Sequence, residues 1–291
     1  MTWSPTALTI IAMKNLPFEI EKVSSIDLPC LDVFSKLKEP QLVHINEPDE
    51  GLFIAESPEV ILRALAAGYE PVSMIMEERY IDSFDFSAME KYEDVKIYTA
   101  DINELVKITG FNLTRGLLAA FRRKPDIPLD KFLTNKKKIV ILEGVVNPTN
   151  VGAIIRSAAA MFADGIVLSP DCADPLYRRA SRVSMGTVFQ VPWTYAGRDV
   201  ASWYKDGTAI LKENGFSLVA TALKPDSIPI TDEGIKRNDK LAVLLGSEGR
   251  GLADSTIAAC DFKAIIPMSN GVDSLNVAAA SAVVFWELFK S

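Results

Sequence analysis

Three polar stretches in the C-terminal half carry the residues able to do chemistry. They are NPTNVGAIIR (Asn147 to Arg156), LAVLLGSEGRGL (Leu241 to Leu252) and IIPMSNGVDSLNVAAASAVVFWELF (Ile265 to Phe289). The first offers amide donors and acceptors in a loop, then an arginine among small and apolar residues. Arg156 must find a partner or reach water: it snorkels, caps a carbonyl, or meets an anion or a developing alkoxide. The second is a glycine-rich turn around Glu248, and glycine lets a ligand approach the backbone closely. The third is a polar loop with Ser274 and Asn276 ahead of a closing helix. His44 is the chain's one histidine and lies far from all three, so Ser-His-Asp catalysis and a histidine-based metal site in this half are excluded. Cys30, Cys172 and Cys260 fit no zinc spacing, and their odd number argues against a disulfide framework. No metal is expected.

The elements that must position these residues read as βαβ units. Ile139 to Leu142 is a short apolar run suited to a buried strand. Gly144 to Asn150 is a turn, and Asn150 is placed to cap the next helix. Ala153, Ile154, Ala158 and Phe162 form that helix's apolar face, Gly165 ends it, and Ile166 to Leu168 is the following strand. The unit is expected to cross over right-handed. Its loop then lies at the carboxyl end of a strand, where open α/β sheets bind ligands. Leu244, Leu245 and Gly246 end another strand, and Ile266, Pro267 and Met268 end a third.

With all three stretches in order, the sequence resembles the SpoU (TrmH) family of RNA ribose 2′-O-methyltransferases, in the SPOUT class. The likeness runs from about Lys138 to the end. It implies an α/β fold with a deep trefoil knot in the C-terminal domain, dimerisation through that domain, and S-adenosylmethionine as methyl donor. It implies catalytic roles for Asn150, Arg156, Glu248, Ser274 and Asn276. It implies that Thr221, Leu244, Leu245, Gly246, Gly249, Ile266, Met268, Ser274 and Leu275 hold the donor. The sulfonium is already activated, so the protein has to align an oxygen nucleophile and favour its alkoxide. Arginine's pKa exceeds about 12, so a charged Arg156 that binds phosphate or stabilises the alkoxide is cheaper than a neutral one.

The N-terminal half reads as a smaller α/β domain. Gly51 to Ala55, Val72 to Met76, Val95 to Thr99 and Gly116 to Phe121 are strands. Helices follow Ser57–Pro58 and Asp101, and Pro29 starts a short one with Leu31, Phe34 and Leu37 inward. GLFIAESPEVILRAL resembles the opening of the RNA-gripping domain of many SpoU proteins; packing or dimerisation is the alternative role. The expected division is residues 1–124 for this domain with its extension, 125–135 as linker and 136–291 for the methyltransferase domain. Ala7 to Met13 is an apolar patch without a basic start or cleavage site, expected as a tail or an added strand. Asp174 to Ser184 and Val200 to Asn214 read as helices, Val188 to Val191 and Leu218 to Thr221 as strands.

The net charge is −7, which counts against nucleic-acid binding over the whole surface. The basic residues are clustered, though, at Arg122, Arg123 and Lys124, at Lys136 to Lys138, and at Arg178, Arg179 and Arg182. The first and third clusters are taken as RNA contacts, with a merely solvated surface as the alternative. No apolar run approaches the roughly 20 residues of a membrane span. Cytoplasmic residence, an RNA partner (ribosomal favoured over transfer) and a homodimer complete the expectation. A dinucleotide-dependent oxidoreductase needs G-x-G-x-x-G directly after a strand, and Gly246, Gly249 and Gly251 have the wrong spacing. The other rival is a catalytically inactive RNA-binding protein of the same fold.

Overall fold

The computed structural model describes residues 8–11, 18–46, 50–92, 94–109, 116–197 and 199–290. The chain falls into two compact units: Met1–Pro125 with Leu176–Arg182, and Asp126–Pro175 with Val183–Ser291.

The first unit holds β1 (Leu8–Ile11), β2 (Ile20–Val23), β3 (Leu52–Glu56), β4 (Pro71–Glu77), β5 (Lys96–Ala100) and β6 (Leu117–Arg122), in the sheet order β1-β2-β5-β4-β6-β3. The β2–β5 and β4–β5 pairs are parallel and the rest antiparallel. β1 falls inside the apolar patch at Ala7 to Met13; the rest of that patch lies outside the described residues. Helix α1 (Pro58–Ala66) has proline at its first position, where a missing N–H costs nothing, and Gly68 at φ 76° just past its end. Ser57 precedes it at φ 87° but makes no side-chain cap. Helix α2 (Ile102–Thr109) starts at Asp101, whose carboxylate accepts the Asn103 N–H at 2.8 Å.

Three of the expected RNA contacts in this unit are spoken for. Glu56 is buried at the end of β3, and Arg182 and Arg178 bring nitrogens to 3.0 and 3.6 Å from its carboxylate. A buried carboxylate without such partners is costly, so these two charges neutralise it while their side chains stay 30% and 40% exposed. Lys124 donates to the Ala67 carbonyl at 2.6 Å and lies 4.5 Å over the Tyr69 ring. Arg122 and Arg179 are exposed and Arg123 is half-buried.

The second unit is a parallel seven-stranded sheet, in the order β11-β13-β10-β12-β7-β8-β9. Its strands are β7 (Lys138–Glu143), β8 (Gly165–Leu168), β9 (Trp193–Tyr195), β10 (Ser217–Thr221), β11 (Ile228–Pro229), β12 (Leu241–Gly246) and β13 (Phe262–Ile265). The central strands β7, β12 and β10 are buried on both faces, hence their unbroken apolar runs. Helices α3 (Leu129–Phe132), α4 (Pro148–Ala160), α5 (Asp254–Ala259) and α6 (Val277–Phe289) belong here, and α6 packs against α4.

Several expectations need correction. Leu129, Phe132 and Leu133, expected in the linker, sit in this unit's core: α3 packs against β9, and the Phe132 ring lies beside Gly165 of β8. Gly165 does not end a helix. It opens β8, and a Cβ there would come within 2.6 Å of the Phe132 ring. Helix α4 stops at Ala160, and Phe162, expected in its apolar face, is 57% exposed at φ 64°. Val188 to Val191 is not a strand: Thr187–Phe189 forms a 3-10 turn, and the edge strand is β9. The strand ahead of the third polar stretch is β13, so Ile266, Pro267 and Met268 lie past its end. The single helix expected over Val200 to Asn214 breaks at a π turn, Trp203–Gly207. There Trp203 turns inward, and a Cβ at Gly207 would stand 2.1 Å from its ring. Among the described residues no helix is long and apolar enough to cross a membrane.

Candidate active site

The carboxyl ends of β7, β12 and β13 lead into the polar loops. Asn150 is not the cap of α4. That role falls to Asn147, whose side-chain oxygen accepts the Thr149 N–H at 2.9 Å. Asn150 is left buried inside the first turn with its amide free to reach across. It donates to Glu248 Oε1 in a short contact. Asn276 donates to the same oxygen at 2.8 Å and approaches Asn150 Oδ1 at 3.3 Å. One residue from each polar stretch thus meets at a single point. Asn276 is also the N-cap of α6, accepting the Ala278 N–H at 3.0 Å, so the start of that helix fixes its position. Glu248 Oε2 has no hydrogen-bond partner among the described residues and can accept a hydroxyl.

Two clefts adjoin this cluster, sharing the turn at Ser247, Glu248 and Gly251. The larger, about 620 Å3, presents polar and apolar surface in similar measure and is lined by Glu143, Asn147, Asp171, Tyr204 and Arg250 among others. The second, about 510 Å3, is mainly apolar. Of the residues expected to hold the donor, it takes in Thr221, Leu245, Gly246, Ile266, Met268, Ser274 and Leu275. Leu244 does not line it: its side chain is fully buried in the core, and its carbonyl accepts the Thr221 hydroxyl at 2.8 Å. Alternation along β12 turns it away from the cleft that Leu245 lines. Gly249 lines the other cleft. Sequence reading missed Ala222, Leu223, Ile230 and Val277 in the apolar cleft. They come from the chain after β10 and the start of α6, and pairing with β13 sets two of them: the Ala222 and Ile230 N–H groups donate to the Ala264 and Ile265 carbonyls at 3.2 and 2.9 Å. Exposed Ser274 donates to Asp273 at 3.0 Å and lines the apolar cleft, outside the asparagine–glutamate cluster. Arg156 is exposed on α4, lines neither cleft and makes no ion pair among the described residues.

Glu143, also overlooked in the sequence, holds the frame. Its buried carboxylate accepts the Trp203 indole N–H, the Thr256 hydroxyl and the Ala253 N–H, each at 2.7 Å. The Ala253 bond pins the far end of the Ser247–Gly251 turn to β7. No cluster of His, Cys, Asp and Glu among the described residues could hold a metal ion.

A parallel α/β sheet with polar loops gathered at the strand ends defines an open-sheet, ligand-binding class of protein. Residues 137–286 match the SpoU rRNA Methylase family. An uncharacterized tRNA/rRNA methyltransferase of Mycobacterium bovis is 34% identical over 276 residues, covering 94% of this chain and 93% of that protein. The 23S rRNA (guanosine-2′-O-)-methyltransferase RlmB of Nitrosomonas europaea is 30% identical over 71% of this chain and 78% of its own length. The crystal structure of AdoMet-bound rRNA methyltransferase from Sinorhizobium meliloti superposes with a TM-score of 0.78 at 23% identity, covering 92% of this chain and 97% of that one. The chain belongs to the SpoU family of RNA methyltransferases.

Proposed function

We propose that the protein transfers a methyl group from S-adenosylmethionine to a ribose 2′-hydroxyl in structured RNA, with ribosomal RNA favoured over transfer RNA. The observation that carries this reading is the meeting of Asn150, Glu248 and Asn276 beside the apolar cleft. That cleft suits the donor: apolar side chains from Leu245, Ile266 and Val272 would hold a flat adenine, and Thr221 and Asp273 would offer polar contacts. S-adenosylmethionine, when bound there, supplies an activated methyl group. Glu248 Oε2 accepts the ribose hydroxyl's hydrogen and orients its oxygen, while the two asparagine amides hold the carboxylate in place. The names of the relatives support RNA as the substrate, and RlmB's name supports the ribose oxygen.

Arg156 then has to come from elsewhere, since it lines neither cleft of its own chain. We assign it to the site of a second copy in a homodimer, where its charge stabilises the alkoxide or grips the adjoining phosphate. The exposed side of α6, with Ala279, Val283 and Trp286, supplies an apolar face for that dimer. The knot implied by the family likeness goes with this reading: past β13 the chain crosses the ends of β10 and β12 to bring α6 against α4. The first unit, with exposed Arg122 and Arg179, serves as the RNA grip, and the reaction takes place in the cytoplasm. The test is a map of 2′-O-methyl sites in total RNA with and without the gene. One ribosomal site lost on deletion is expected. An unchanged map overturns the reading, and a lost transfer-RNA site overturns the preference.

A further inference from the structure

The larger cleft shares a wall, at Ser247, Glu248 and Gly251, with the cleft assigned above to the donor. A target nucleotide whose 2′-hydroxyl lies at Glu248 must place its base in a neighbouring space. This one is lined by an aromatic ring, a carboxylate and a guanidinium. The chain goes to some length to put the ring there. At the π turn, Trp203 goes into the core onto Glu143 while its neighbour Tyr204 stays 40% exposed at the cleft. π turns recur at functional sites because they re-aim side chains in this way. Burial, then the nearby Glu143 and Asp171 charges, push the Tyr204 hydroxyl's pKa up, so at neutral pH it keeps its proton to donate. Asp171 is held by Ser169, whose hydroxyl donates to Oδ1; Oδ2 has no hydrogen-bond partner among the described residues. Gly144 stands beside that oxygen at φ 64°, and even a Cβ there would lie only 3.5 Å from Oδ2, so the approach to the carboxylate is kept clear.

We propose that this cleft receives the base of the nucleotide to be methylated and that Asp171 with Tyr204 selects guanine. The inference rests on the methyltransferase reading above. Guanine's Watson–Crick edge presents two adjacent N–H donors, N1 and N2, beside the O6 acceptor. A carboxylate takes the donors and a phenol hydroxyl serves the acceptor. Uracil has one donor between two carbonyls, which repel a carboxylate. Adenine and cytosine present one amino group beside a bare ring nitrogen, which faces the carboxylate without a hydrogen. The Tyr204 ring adds a stacking surface open to any base, and Arg250 supplies a cation for the phosphate.

The test uses the full chain, saturated with S-adenosylhomocysteine, and titrates the four ribonucleoside 5′-monophosphates by NMR. GMP is expected to bind about tenfold or more tighter than UMP. Asp171→Asn should erase that preference, and Tyr204→Ala should weaken all four nucleotides together. Calorimetry of S-adenosylhomocysteine should give the wild-type affinity for both variants, since neither residue lines the apolar cleft. Equal affinities for the four nucleotides, no binding by any, or a GMP preference that survives Asp171→Asn each overturns the inference. The wild-type comparison stands even if a variant fails to fold. Absence of S-adenosylhomocysteine binding by the wild type is a different result and strikes the methyltransferase reading itself.

Discussion

Glu143→Gln isolates how the frame is held. The native carboxylate is 2% exposed and meets donors only: Ala253 N–H at Oε1, and the Trp203 indole and Thr256 hydroxyl at Oε2. A glutamine keeps the volume but replaces one acceptor with an NH2 group. With its oxygen turned toward Trp203 and Thr256, the NH2 faces the Ala253 N–H, donor against donor. Turned the other way, it faces the indole. One hydrogen bond to a charged group is lost in either pose and a buried N–H goes unpaired, together about 3 kcal/mol. For a unit of this size, melting should fall by roughly 6–12 °C. The pose that spares Trp203 frees Ala253, so the Ser247–Gly251 turn loosens and S-adenosylhomocysteine binding weakens as well. Differential scanning calorimetry with and without that ligand reads both effects. A melting point within about 2 °C of wild type, with unchanged ligand affinity, would refute the claim that Glu143 pins the turn.

Asn276→Ala removes both the α6 cap and a hydrogen bond to Glu248, so it should cost about 1 kcal/mol in chemical denaturation and slow methyl transfer far more than that loss explains. Purified mixed dimers of an Arg156→Ala chain and an Asn276→Ala chain should recover about half of wild-type turnover, because one site regains both residues; no recovery places Arg156 in its own chain's site. Burial holds the Cys172 and Cys260 thiols at about 11 and about 12, so iodoacetamide at pH 8 should label exposed Cys30 well before either, as read by peptide mass spectrometry. Both pKa values are raised on folding, so the stability they contribute is full below about pH 9 and is lost as pH rises through 11 to 12; melting temperature should decline over that window.

The strands of the second unit's sheet core were legible because burial on both faces demands continuous apolar runs, as at Ile139 to Leu142 and Leu241 to Leu245. The three polar stretches were legible from residue type. Their convergence was not, because Asn150 and Asn276 lie 126 residues apart and meet only through the crossing of α6 onto α4. Asn150 was mistaken for the cap because Asn147 and Asn150 both suit that position; proline's place in the first turn favours Asn147. Glu143 carries no signal in the sequence, since nothing near it announces Trp203, Ala253 or Thr256 as partners. Gly165 reads by local rules as a helix end, whereas the Phe132 ring beside it sets the need for glycine, and nothing local marks Gly207 as the place where the Trp203 ring needs room. The basic clusters look alike as sequence, and only the fold shows Arg178 and Arg182 held by Glu56.

The most direct test of the central claim is labelled-methyl transfer from S-adenosylmethionine to RNA from cells lacking the gene, comparing wild type with Arg156→Ala. The account predicts a label on ribose, which leaves an alkali-stable dinucleotide. It predicts a loss on the order of a hundredfold or more for Arg156→Ala, with melting temperature and donor affinity retained. A label found on a base, or near wild-type turnover by Arg156→Ala, would contradict it.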